Sequence, residues 1–146
     1  MSQLFLSHTW KLDELGRDTH RRALELYKLL MTLGWSVWLD EFEMHSNIDS
    51  SMANGIDEAE CVIMLLTRAY ARKINKGARS ETASNDNCLK EFGYALFREK
   101  RILPVIFEVC MQNPNEWSPG VIPMRLAMTY CVDGTGSLFD AARNIH

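Results

Sequence analysis

A chain of 146 residues with 47% hydrophobic and 24% charged side chains has the composition of one soluble globular domain, able to bury roughly 70% of its unfolded surface. Its formal net charge of −3 and the lack of a long Lys/Arg run argue against a nucleic-acid platform. No apolar stretch approaches the ~20 residues that span a bilayer and no signal-peptide pattern opens the chain, so a single cytoplasmic domain over residues 1–146, without membrane contact, is expected.

Leu4-Phe5-Leu6 reads as a short first strand that stops at Ser7-His8-Thr9. A polar loop with Gly16 follows, then a helical stretch from about Thr19 to Leu33 with Ala23, Tyr27, Leu30 and Met31 on one face. Arg17-Asp18 and Arg21-Arg22 read as its solvated start, and Gly34 as the glycine that ends it. Ser36-Val37-Trp38-Leu39 is rich in β-formers. Alternation puts Trp35 and Val37 on one face, Ser36 and Trp38 on the other, so one tryptophan is expected in the core, and for the other core packing is favoured over a place at a pocket border. Asp40 to Asp49 reads as a polar loop and Ser50 to Ala59 as a short helix. Cys61 to Leu66 is a nearly continuous apolar run, which suits a strand covered on both faces. Lys73 to Asp86 is polar and reads as a surface loop.

The segment from Asn87 to Leu96 reads as an amphipathic helix. Leu89, Phe92, Gly93, Leu96 and Phe97 recur at the spacing of one buried face. Glu91 falls off that stripe, close to the helix start and after the cap-like run Ser84-Asn85-Asp86. The helix dipole favours a carboxylate there. Ile102 to Phe107 is another buried run, in which Pro104 implies a bulge or a place near an edge. Met111 to Pro123 reads as loop, Ala127 to Val132 as a weaker strand, and Ser137 to Asn144 as a last helix.

Strands alternating with helices at this spacing make βαβ units, and about five strands give a flavodoxin-like three-layer α/β sandwich with helices on both faces. Ligands of such sheets bind at the carboxyl ends of the strands. The loops after Leu6, Leu39 and Leu66 therefore share one rim with the start of the Glu91 helix. A carboxylate fixed on a helix beside that cleft can do chemistry. The plainer alternative is that Glu91 only complements the dipole, worth ~0.3–1 kcal/mol.

Other signatures are missing. There is no Walker A, GxGxxG, GxSxG or HExxH sequence. The four histidines, His8, His20, His45 and His146, form no ligand cluster and read as surface or loop residues, with His8 alone on the rim. Cys61, Cys88, Cys110 and Cys131 form no CxxC pair and read as reduced thiols, so neither a metal nor a cofactor is implied. Cys88 lies near a helix start, where a thiol can be activated or simply packed. Asp40 and Glu41 are carboxylates at a strand end, suited to solvation or to a pocket border.

Together these segments, from Leu4 to about Asn144, resemble a TIR (Toll/interleukin-1 receptor) domain. Leu4-Phe5-Leu6-Ser7-His8 is similar to the family's opening strand, and Gly34 to Asp40 to its second strand and the start of the BB loop. Met44-His45-Ser46-Asn47-Ile48 resembles the middle of that loop, with Ser46-Asn47 where the family often has Gly-Asp. Ile56 to Thr67 fits the helix-to-strand pattern that follows. Asn87-Cys88-Leu89-Lys90-Glu91-Phe92 looks like the Trp-Cys-Leu-x-Glu-Leu helix of plant members, with Asn in place of Trp. Thr9 stands where some of the family's enzymes carry Arg.

The family contains adaptors that only associate and enzymes that cleave NAD+ at the nicotinamide–ribose bond, and the enzymes carry a glutamate at the position of Glu91. The resemblance implies that Glu91 is catalytic and NAD+ is a substrate rather than a cofactor. It further implies that Ser7, His8, Thr9, Trp38, Asp40, Ile48, Asn87 and Cys88 surround the nucleotide. Met44, His45, Ser46 and Asn47 of the BB loop would meet other TIR domains, with self-assembly on activation. The alternatives are a non-catalytic module recruiting TIR domains through the BB loop, and a domain that binds a nucleotide without cleaving it.

Overall fold

The computed structural model describes residues 3–39, 48–76 and 87–145. Strand β1 (Gln3–Ser7), helix α1 (Thr19–Thr32), β2 (Ser36–Leu39), α2 (Ile48–Glu58) and β3 (Cys61–Leu66) form the first half. Helices α3 (Arg68–Lys76) and α4 (Cys88–Phe97), strand β4 (Ile102–Ile106), helix α5 (Val121–Leu126), β5 (Val132–Asp133) and α6 (Leu138–Arg143) complete it. The five strands make one parallel sheet in the order β2-β1-β3-β4-β5. This is the flavodoxin-like arrangement, whose chain order reverses at β1 and β3 and opens a crevice at their carboxyl ends.

β3 lies in the middle because every one of its six residues can be buried. Its side chains alternate between two cores. Cys61, Ile63 and Leu65 join Leu4 and Leu6 under α1 and α6, while Met64 and Leu66 face Tyr70, Ile74 and Phe92 of α3 and α4. β1 splits the same way, and Phe5 and Ser7 share the α2–α4 side by the two-residue period of a strand.

Local chemistry accounts for the helix ends. The Asp18 carboxylate accepts from Arg21 N and starts α1, and Gly34, at φ +98°, follows its end, where only glycine is unstrained. Thr19, Ala23, Leu26 and Leu30 form the buried side of α1, so the expected face is rotated, and Met31 is 46% exposed. Arg22, expected in solvent, turns inward instead. Its guanidinium donates to the carbonyls of Phe107 (2.7 Å) and Gly134 (3.1 Å) and lies 4.2 Å from the centre of the Phe107 ring. It thereby ties α1 to the ends of β4 and β5.

Several expected boundaries shift. Ile48 and Asp49 belong to α2 rather than to the preceding loop. The stretch from Lys73 begins inside α3, which Thr67 starts by accepting Tyr70 N on its hydroxyl (3.1 Å). The rest of that expected loop, 77–86, lies outside the described residues, as does the cap-like run before the Glu91 helix. Pro123 is helical within α5, and the last strand begins only at Val132. Pro104 sits opposite Met64, at a level of β4 that the short β5 does not reach. That half of β4 is an edge, so the missing N–H costs no ladder bond there. Among the described residues, no helix is long and apolar enough to cross a membrane.

Candidate functional site

The buried face of α4 is made by Cys88, Glu91, Phe92 and Ala95. Glu91 is therefore on the buried stripe, contrary to the sequence expectation, whereas Gly93 and Phe97 (77% exposed) face outward. The reason lies in the neighbours. Phe92 and Ala95 fill the sheet side, and the turn of helix containing Glu91 passes over the end of β1, where a polar partner waits. The Ser7 hydroxyl donates to Glu91 Oε1 at 2.7 Å and stands 2.7 Å from the Tyr70 hydroxyl. Ser7 and Tyr70 are fully buried and Glu91 is 2% exposed.

Glu91 also borders a cavity of about 290 Å³ between α2 and α4, with Met52, Ala53, Ile56, Lys90 and Tyr94. Its walls are mostly apolar. Tyr94 is held by its hydroxyl, which donates to Asp57 Oδ2 (2.9 Å), and the Arg98 guanidinium grips the other Asp57 oxygen (2.8 Å). These bonds tie α4 to the end of α2, the two helices that wall the cavity.

The remaining expected residues are placed as follows. His8 is 3% exposed, and its Nε2 is 2.8 Å from His20 Nδ1, with the Trp10 ring stacked on His20 at 3.8 Å. His8 is thus a buried, paired residue rather than a surface one. Thr9 is buried, and its hydroxyl accepts Lys11 N at 3.2 Å. Trp38 stacks on Phe5 with ring centres 4.6 Å apart, beneath Gly55 of α2. A Cβ at Gly55 would lie 3.0 Å from the Trp38 ring, so α2 approaches the sheet this closely only through a glycine. Trp38 is a support of α2 and does not line the cavity. Asn87 stands at the start of α4 without a side-chain capping bond, and Cys88 is fully buried. Ile48 is the first residue of α2. Asp40, Met44, His45, Ser46 and Asn47 lie outside the described residues. Among the expected residues that the structure describes, Ser7 and Glu91 are brought into direct contact, and Glu91 lines the cavity.

Tyr70, Lys90 and Tyr94 were not singled out in the sequence. Tyr70 had a signal, because Tyr70, Ala71 and Ile74 follow Thr67 at helical spacing behind a capping hydroxyl. Lys90 and Tyr94 flank Glu91 at steps of one and three and had no distinguishing mark.

A second buried carboxylate lies elsewhere on the same rim. Glu108, 3% exposed, accepts Arg68 N on Oε1 (2.8 Å) and Glu14 N on Oε2 (3.0 Å). Among the described residues, Glu14, Glu108 and Cys110 bring three metal-ligating groups within 4.8 Å of one another. The Glu108 oxygens already serve backbone donors, and the Glu14 carboxylate pairs with the Arg68 guanidinium at 2.6 Å. Burial, with the two nearby carboxylates, pushes the Cys110 thiol up to about 11.

A five-stranded parallel α/β domain with a buried carboxylate at the crevice between β1 and β3 is the class defined by this geometry. Residues 4–143 match the TIR domain family, and the chain belongs to it. Among solved structures 19 chains match. One, described as the activated Roq1 resistosome directly recognizing the pathogen effector XopQ (TIR domains), is similar with a TM-score of 0.54 at 20% identity over 81% of this chain. The match spans 65% of that longer chain, and the likeness is one of fold. No curated protein matches.

Proposed function

We propose that this TIR domain is an NAD+ nucleosidase that cleaves the nicotinamide–ribose bond in the cytoplasm, as part of immune or cell-death signalling. The observation that carries the reading is Glu91: a carboxylate 2% exposed, held by the Ser7 hydroxyl and bordering a cavity. Breaking the bond generates an oxocarbenium-like ribosyl cation, which a carboxylate in a water-poor site stabilises far better than water does. Nicotinamide leaves as a neutral group, so no strong general acid is needed and one carboxylate suffices. The apolar walls of Met52, Ala53 and Ile56 suit a flat ring, and Lys90 on the cavity border adds a positive charge suited to the pyrophosphate.

Activation by self-assembly is part of the same reading. The fold likeness to TIR domains described within an activated resistosome supports it. The test is a time course of NAD+ loss and nicotinamide release at high protein concentration, for wild type and Glu91→Gln. Wild type is expected to release nicotinamide, and Glu91→Gln to lose about 100-fold or more of that rate while folding and associating normally. Full turnover by Glu91→Gln would remove the site assignment. No release from either protein, with both folded, would transfer the function to association through the BB loop.

A further inference from the structure

We propose that Tyr70 is a positioning residue for Glu91 and acts through Ser7, an inference that rests on Glu91 being the working carboxylate. A serine hydroxyl has one proton to give. Ser7 gives it to Glu91 Oε1, so the 2.7 Å contact between Ser7 Oγ and the Tyr70 hydroxyl must be filled by the tyrosine proton. The result is a one-way chain from Tyr70 to Ser7 to the Glu91 carboxylate, in which each donor strengthens the next. It joins α3, β1 and α4, and all three of its members are buried.

The physical effect is to remove a choice. A serine Oγ–H rotates, and with an oxygen on each side it can point at either. The Tyr70 ring is packed in the core with Met64, Leu66, Ile74 and Phe92, so its hydroxyl is delivered to one place by close packing. Once that hydroxyl donates to Ser7, the serine proton has only the direction of Glu91. A rotatable donor becomes a fixed one, and the carboxylate it grips stays in one orientation. Misplacement of a reacting group lowers the rate of the step it serves without weakening ground-state binding.

The variant Tyr70→Phe removes the hydroxyl and keeps the ring and its packing. Its kcat for NAD+ cleavage is expected to fall about tenfold with KM within about twofold of wild type. Ser7→Ala should lower kcat as well, and adding Tyr70→Phe to it should cost nothing further, because residues acting in series are not additive. Ser7→Thr, which restores a hydroxyl, should restore the response to Tyr70→Phe. Wild-type kcat in Tyr70→Phe, or losses that multiply in the double variant, would overturn the relay.

A second readout needs no turnover. In protein carrying ¹³C-labelled glutamate carboxyls, the Glu91 signal is assigned by its loss in Glu91→Gln. That signal should move on Tyr70→Phe in the wild-type background and stay in place in the Ser7→Ala background. A folded protein that does not cleave NAD+ would defeat the functional reading while leaving the relay to be judged by this shift. A Glu91 signal indifferent to Tyr70 would overturn the relay whatever the activity.

Discussion

Glu91 and Glu108 are both buried glutamates at the carboxyl-end rim of one sheet, yet they are held in opposite ways. Glu108 takes two backbone N–H groups, from Arg68 and Glu14, one on each oxygen. Backbone donors cannot turn away, so this carboxylate is a rivet between the loop ahead of α1 and the first turn of α3. Glu91 takes a side-chain hydroxyl, itself braced by a tyrosine, and borders open volume. Burial alone therefore does not distinguish the two carboxylates. What separates the two is the kind of donor and the space beside it.

Exchanging glutamate for glutamine at both positions tests that contrast most strongly. Glu91→Gln should lose turnover and keep its stability, since the amide oxygen can still accept from Ser7. Glu108→Gln places an amide NH₂ against a backbone N–H and leaves a buried donor without an acceptor, which costs about 1–3 kcal/mol. A fall in Tm of roughly 3–10 °C should follow, with the turnover of the folded fraction unchanged. Thermal unfolding and nicotinamide release on the same samples check both. A Glu108→Gln protein that is fully folded but inactive would erase the distinction.

A smaller effect sharpens the structural half of the comparison. Asp13 lies in the loop that Glu108 secures, and burial by itself would raise its pKa. Hydrogen bonds from Arg17 N (2.8 Å), the Arg17 guanidinium (2.6 Å) and Leu15 N (3.0 Å) outweigh burial and hold the carboxyl below its ordinary value of 3.8. A lowered folded-state pKa means the stabilisation is complete above the unfolded value and is lost as pH falls through the folded one. Asp13→Asn should therefore cost about 1 kcal/mol at pH 7. It should also flatten the fall in Tm that the wild type shows below roughly pH 4. An identical acid slope in both proteins would place the acid sensitivity elsewhere.

The two halves of the contrast were unequally legible in the sequence. The sheet was readable because a short apolar run such as Cys61 to Leu66 suits a strand covered on both faces, and Leu4 to Leu6 and Ile102 to Ile106 repeat the signal. Glu91 was readable as a singular carboxylate, but its face was not. Helical spacing assigned Gly93 and Phe97 to the core, whereas the polar partner at the end of β1 draws the turn containing Glu91 inward. A stripe drawn from apolar residues alone cannot register a buried hydrogen bond made across 84 positions of sequence. Tyr70 was hidden for a different reason, since Arg68 to Arg72 stood between an expected strand and an expected loop with no element of its own until Thr67 is recognised as a helix cap. The role of Glu108 was invisible, because its donors are backbone groups that any sequence would supply.

The thiols provide the finest test of how far the charge at Glu108 reaches. Cys61 and Cys88 are buried, while Cys110 and Cys131 are partly exposed and open to alkylation. Burial raises both of the latter, but for Cys110 the Glu108 and Glu14 carboxylates add to it, and for Cys131 burial acts alone. With its thiol pushed up to about 11, Cys110 is almost wholly protonated at pH 8. Its reaction with iodoacetamide should then run about 100-fold slower than in the unfolded chain. Glu108→Gln removes one of the two negative charges, so the Cys110 thiolate becomes easier to form and its alkylation should accelerate severalfold. Cys131 has no such charge to lose and should keep its rate, which makes the Cys110-to-Cys131 ratio, read by mass spectrometry, independent of any general loosening. A ratio that stays constant would mean that the Glu108 charge is already spent on its two backbone donors and that burial alone governs Cys110.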